Sequence, residues 1–162
     1  MKAQQYHFAF EEYADISELA PKDAELLRAA RAATEHAYAP YSNFHVAAVA
    51  RMTNGDTVAG TNQENASYPV GICAERTLLS TISSLYPDHK TEIDTMAISY
   101  HNHNGASSHP ITPCGICRQT MVEYEARMLH PIRLIMGGQE GKIYVVERAG
   151  MLLPLSFTSD DM

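Results

Sequence analysis

The chain has 162 residues, 45% hydrophobic and 19% charged, which suits one globular domain with a sizeable core and leaves little room for two. Its formal charge of −7, with 12 Lys and Arg spread from Lys2 to Arg148 in no basic run, counts against a nucleic-acid partner. No apolar run approaches the roughly 18 residues that span a bilayer, and the first nineteen residues carry acids where a secretory peptide carries an apolar block, so a cytoplasmic protein without membrane contact is expected.

Residues 1–20 are expected to form an N-terminal extension or an edge strand, since "YHFAF" alternates weakly. Pro21 suits a first helical turn, and Leu26, Leu27, Ala30, Ala33 and Ala37 recur at helical spacing until Pro40, predicting the first helix. "FHVAAVARM" and "TVAGTNQEN" read as strands on either side of Asn54-Gly55, a pair that favours a two-residue hairpin turn. "CAERTLLSTISSLY" reads as the second helix and "DTMAISY" as the third strand. A long polar loop follows over 101–113, then a third helix in "CGICRQTMVEYEA". "IRLIMGG" and "KIYVVE" read as the fourth and fifth strands. Too few residues separate them for a parallel crossover, so they are expected to form an antiparallel hairpin. The order α-β-β-α-β-α-β-β predicts one α/β domain over 1–162: a three-layer α/β/α arrangement around a mixed five-stranded sheet whose strands 4 and 5 are antiparallel.

Three cysteines in a short chain from a reducing compartment do not make a disulfide framework; they are free, reactive or metal-bound. Cys114 and Cys117 share one face of a helix start, where the dipole and free N–H groups lower thiol pKa values. A lone C-x-x-C reads equally as a redox pair or as two buried thiols. Cys73, at another inferred helix start, completes a set of three thiolates, and zinc with three protein ligands keeps its fourth position for water, as in catalytic sites. Other readings stand beside this one. Cys73 also fits a small core residue, and a structural four-ligand site could borrow His101, His103 or His109 from the polar loop. His36, His45 and His130 read as helix, strand or surface residues. Glu75 alone reads as a first-turn acid and Arg76 as a surface arginine.

The stretches "APYSNFHV" (39–46), "NQENASYPVG" (62–71), "CAER" (73–76), "PCGICRQ" (113–119) and "LLPLSF" (152–157) fall in the order found in the homotetrameric zinc-dependent cytidine deaminases, and the chain resembles that family from residue 23 to residue 162. The resemblance implies a cytidine deaminase-like fold with Zn2+ on Cys73, Cys114 and Cys117. It implies hydrolytic deamination of cytidine and deoxycytidine by zinc-bound hydroxide, with Glu75 carrying protons to N3 and to the leaving amino group, in pyrimidine salvage. It places Asn62 and Glu64 on the ribose hydroxyls, Phe44 and Tyr41 beside the pyrimidine, and the Ala74 backbone near the transition state. Phe157 would reach the active site of a neighbouring subunit in a homotetramer. Without the resemblance, Asn62 and Glu64 read as polar residues at a strand end and Phe44 as core.

Zinc on three thiolates is net negative, and Glu75 makes the site more so, which weakens its power to acidify water unless charge is drawn back. The resemblance assigns part of that task to Arg76, hydrogen-bonded to ligand sulfurs, and two helix N-termini add about half a positive charge each. A carboxylate beside the substrate disfavours phosphate, so a nucleoside fits better than a nucleotide. Ala47 stands where the family usually has glycine, which puts close packing near the pocket in question, and the loops over 86–94 and 102–112 are longer than usual. A deaminase of modified nucleosides is the runner-up. Polynucleotide editing conflicts with the acidic charge and the last hairpin, and a non-catalytic zinc module would need four protein ligands.

Overall fold

The computed structural model describes residues 1–88 and 91–162. In chain order its elements are β1 (Glu11–Tyr13), α1 (Pro21–Ala33), β2 (Phe44–Met52), β3 (Thr57–Thr61), α2 (Ala74–Leu85), β4 (Ile93–Asn102), α3 (Gly115–Met128), β5 (Arg133–Gly137) and β6 (Ile143–Val146). The strands form one sheet in the order β1-β6-β5-β4-β2-β3. Only β4 and β5 are parallel, joined through α3; the other neighbours are antiparallel. The hairpin expected near the C-terminus is present, with Leu134 opposite Val146 and Gly137 opposite Ile143.

The sheet has six strands, which corrects the expected five. The added strand, β1, pairs Glu11–Tyr13 with Ile143, Tyr144 and Val145 and covers the otherwise open edge of β6. It begins just after "YHFAF", whose Phe10 ring meets the Tyr144 ring edge-on at 4.9 Å. A second correction concerns the β2–β3 turn. Met52 N–H donates to the Asp56 carbonyl, so three residues, 53–55, make the connection, with Gly55 at φ 92°. Asn-Gly here supplies the left-handed residue of a three-residue loop instead of a two-residue turn.

The central strands are buried on both faces, which accounts for the near-continuous apolar run of β2. Leu27 and Ala30 of α1 pack with Val49, Ala97 and Ile135 on one face. Leu78 of α2 and Met121 of α3 pack with Ala48, Met96, Ile98 and Leu134 on the other. Three layers result, as expected. The first helix stops at Ala33 and continues as a 3-10 turn over Thr34–His36. Val46 and Ala48 pack on the α2/α3 side, so strand alternation puts the fully buried Ala47 on the α1 side. Its departure from the family glycine therefore lies behind the sheet.

One close approach positions α2. A Cβ on Gly60 of β3 would collide with the Leu78 backbone nitrogen and sit 2.7 Å from the Ala74 carbonyl oxygen. Only glycine lets the first turns of α2 lie so tightly on the sheet, and that helix start carries Cys73 and Glu75. The polar loop is shorter than expected because β4 runs on through His101 and Asn102. Its middle is held where Ser107 Oγ accepts from the Asn102 N–H at 2.9 Å. The expectation of a longer exit after α2 falls partly on residues 89 and 90, outside those described. Among the described residues, no helix is long and apolar enough to cross a membrane.

Candidate metal centre and pocket

Cys73 is the N-cap of α2 and Cys114 the N-cap of α3, both with extended backbone and neither using its side chain to cap its helix. Their thiols are thus free for another partner at positions where first-turn N–H groups have none inside the helix. Cys117 lies one turn into α3 and is buried. The Cys73 and Cys114 sulfurs are 3.7 Å apart and those of Cys114 and Cys117 3.4 Å apart. All three lie within 4.8 Å of one another, and no histidine joins them among the described residues. His109 instead meets the Tyr100 hydroxyl at 2.8 Å, while His101 stacks on His103.

The thiols do not ionise alike. The neighbouring thiols, Cys117 foremost and then Cys114, bring Cys73 down to about 6, and the Arg76 charge adds to this, while burial and the Glu75 carboxylate oppose. Cys117 is pushed up by the Cys73 sulfur beside it, by burial, and by the Glu75 and Cys73 charges. One thiolate therefore forms readily, and the next is resisted by like charge. A bound dication removes that resistance, and soft sulfur donors at this spacing suit zinc. The residues present fit Zn2+. Arg76 acts on Cys73 through charge: among the described residues no hydrogen bond joins its guanidinium to a sulfur, unlike the contact the resemblance implies.

Beside the thiols opens a pocket of about 520 Å³ whose wall includes Asn62, Glu64, Cys73, Ala74, Glu75 and Cys114. Glu75 is 5% exposed, and burial raises its pKa above the ordinary carboxylate value. A carboxyl so placed keeps a proton more readily than a solvated one and can exchange it with a group in the pocket. Asn62 extends the β2–β3 pairing with its side chain: Oδ1 accepts from the Val46 N–H at 2.8 Å and Nδ2 donates to the Phe44 carbonyl at 2.9 Å. One donor hydrogen and one lone pair remain for a ligand. Glu64 accepts from the Tyr41 N–H at 2.9 Å, the Ser42 N–H and the Ser42 hydroxyl. Burial works to raise its pKa, but these hydrogen bonds outweigh it and keep the carboxylate below its ordinary value.

One expected residue, Phe44, lies elsewhere, and Phe157 stands where a pocket of its own chain does not need it, in keeping with its expected reach to a neighbouring subunit. Phe44 faces the pocket side of the sheet, but its ring stacks on Tyr100 at 4.9 Å and does not line the cavity. Phe157 is 59% exposed and stands outside the pocket of its own chain. Ser42 and Tyr68, which lie inside the family stretches 39–46 and 62–71 without an assigned role, line the wall with Ile72 and Thr112, which lie outside them. Ile72 follows Gly71 and Thr112 precedes Pro113, so adjacency to a family stretch was the available clue for those two.

The zinc-binding region of cytidine and deoxycytidylate deaminases matches residues 20–130. A cytidine deaminase of Halalkalibacterium halodurans is 36% identical over 139 residues, covering 85% of this chain and 95% of that protein. One from Mycobacterium tuberculosis is 33% identical over 144 residues, covering 86% and 93%. The crystal structure of a Burkholderia pseudomallei cytidine deaminase superposes with a TM-score of 0.69 at 38% identity, covering 82% of this chain and 97% of that one.

Proposed function

The chain belongs to the zinc-dependent cytidine deaminase family, and from that premise we propose that it hydrolyses cytidine and deoxycytidine to uridine, or deoxyuridine, and ammonia. The observation that carries the reading is the meeting of three thiol sulfurs within 4.8 Å beside a buried carboxyl on the wall of one pocket. Zinc held by Cys73, Cys114 and Cys117 supplies the Lewis acidity that makes water a nucleophile near neutral pH. Glu75 takes a proton from the attacking water and delivers it to N3 of the pyrimidine. As oxygen bonds to C4, Glu75 relays the second proton to the amino nitrogen, the C4–N bond breaks, and ammonia departs. The N–H groups at the start of α2, by Ala74, face the site of charge development. Asn62, with one donor and one acceptor left, and the ionised Glu64 hold the sugar hydroxyls.

Glu64 also discriminates. A carboxylate kept ionised at the pocket wall repels a phosphate, which favours nucleosides over nucleotides and supports a role in pyrimidine salvage. The free thiols support a reducing compartment, the cytoplasm. Tyr41 and Tyr68, each more than half exposed on the pocket wall, support a homotetramer in which Phe157 of one subunit completes the pocket of another. The test is the loss of ultraviolet absorbance on mixing protein with cytidine, deoxycytidine, cytosine and cytidine monophosphate in parallel. The two nucleosides are expected to react and the monophosphate to lag. Glu75→Gln is expected to retain zinc while kcat falls on the order of 10²–10⁴-fold; full turnover in that variant would sink the proton shuttle.

A further inference from the structure

Arg118 and Gln119 follow Cys117 directly on α3, and both send their donors outward to backbone carbonyls. Arg118 Nε donates to the Pro113 carbonyl at 2.8 Å, Nη1 to the Leu152 carbonyl at 3.0 Å, and Nη2 to Thr112 Oγ1 at 3.5 Å. Gln119 Nε2 donates to the Phe157 carbonyl at 2.8 Å. Thr112 and Cys114 belong to the pocket wall, whereas Leu152 and Phe157 bracket the C-terminal segment.

Among the described residues that segment has few other hydrogen bonds, one of them from the Tyr6 hydroxyl to the Met151 carbonyl at 3.0 Å. Glu125 fixes its start by accepting from the Gly150 N–H at 3.2 Å, and its end folds on itself where the Thr158 N–H meets the Asp161 carboxylate at 2.8 Å. Between them Leu155 is fully exposed with a left-handed φ of 55°, and Phe157 is 59% exposed. A guanidinium suits this place because its planar fork spreads donors over three nitrogens toward diverging acceptors, while an ammonium gathers its donors on one atom.

We propose that Arg118 and Gln119 are positioning residues that lock the C-terminal segment to the loop bearing Cys114, so that the pocket wall and the placement of Phe157 are set together. The catalytic readout of this proposal rests on the deaminase reading; its structural readout does not. Gln119→Ala is expected to keep zinc and lower kcat/KM about tenfold, the loss of one such hydrogen bond. Because Gln119 acts through Phe157, the double variant Gln119→Ala/Phe157→Ala is expected to be no worse than Phe157→Ala alone. Losses that multiply, or wild-type behaviour of Gln119→Ala, overturn the proposal.

Arg118→Lys is expected to retain zinc while amides of residues 153–158 exchange hydrogen several-fold faster in the zinc-loaded protein. Unchanged exchange also overturns the proposal. Should Arg118→Lys fail to fold, the Gln119–Phe157 cycle decides. Should the wild type leave cytidine untouched, the deaminase reading falls, and exchange in Arg118→Lys decides the clamp.

Discussion

The cysteine cluster and a histidine cluster occupy opposite faces of one sheet. His45 and His101 are paired across β2 and β4, and the His103 ring lies 4.1 Å from that of His101 and 4.5 Å from that of His45. These rings stack or meet edge-on, and among the described residues their nitrogens do not converge as the three sulfurs do. The thiols sit at two helix N-termini beside a pocket, in a field that favours thiolate. The imidazoles sit where α1 has ended, two of the three exposed, with no such field. Closeness of ligand-type residues is therefore not sufficient for a metal site; convergence on one point and an electrostatic demand for a cation separate the two clusters.

The comparison breaks most directly by deletion. Cys114→Ser is expected to lose zinc and all turnover, whereas His101→Ala and His103→Ala keep the zinc content and kcat of the parent, as read by elemental analysis and the absorbance assay. Zinc loss in either histidine variant would tie the two clusters together.

A smaller effect reaches the cysteine cluster through its support. Gly60→Ala forces a methyl group into the α2 backbone, at a cost of about 1–3 kcal/mol as overpacking. The melting temperature should fall by about 2–4 °C per kcal/mol, with weakened zinc retention because the helix start bearing Cys73 must shift. An unchanged melting temperature would show that α2 can retreat freely.

The smallest effect concerns the histidines alone. Local desolvation beside the neighbouring rings, then the charges of His101 and His45, lower the pKa of the exposed His103 below the ordinary histidine value. Its folded-state pKa being below the unfolded one, protonation favours the unfolded chain. Any stability linked to it is present above the unfolded pKa and lost as pH falls through that range. An NMR titration of His103 should show the depressed midpoint, and His101→Ala should move it upward. A midpoint that does not respond would mean the rings are apart in solution.

The elements that could be read in the chain are those whose cause is local. Residues 74–85 and 115–128 form helices with cysteines at their caps because the apolar period and the breakers lie within each stretch. The short link between β5 and β6 made their antiparallel pairing unavoidable. The family motifs added the grouping of the three thiols, which no local rule supplies. Less legible were β1, whose pairing depends on an edge of β6 more than a hundred residues away, and the ring of Phe44, turned by Tyr100 on another strand. Arg76 was legible as charge but not as contact, since where a long side chain ends depends on everything around it.

By itself, then, the sequence determined the order and type of the main elements, the placing of thiols at helix starts and the negative charge, because these follow from neighbours along the chain. Only the tertiary structure decided how closely the three grouped sulfurs converge, that Gly60 admits α2 to the sheet, and that Arg118 and Gln119 reach the C-terminal segment. Those contacts join residues far apart in the chain, and their distances are set by packing across layers, where no periodicity records them.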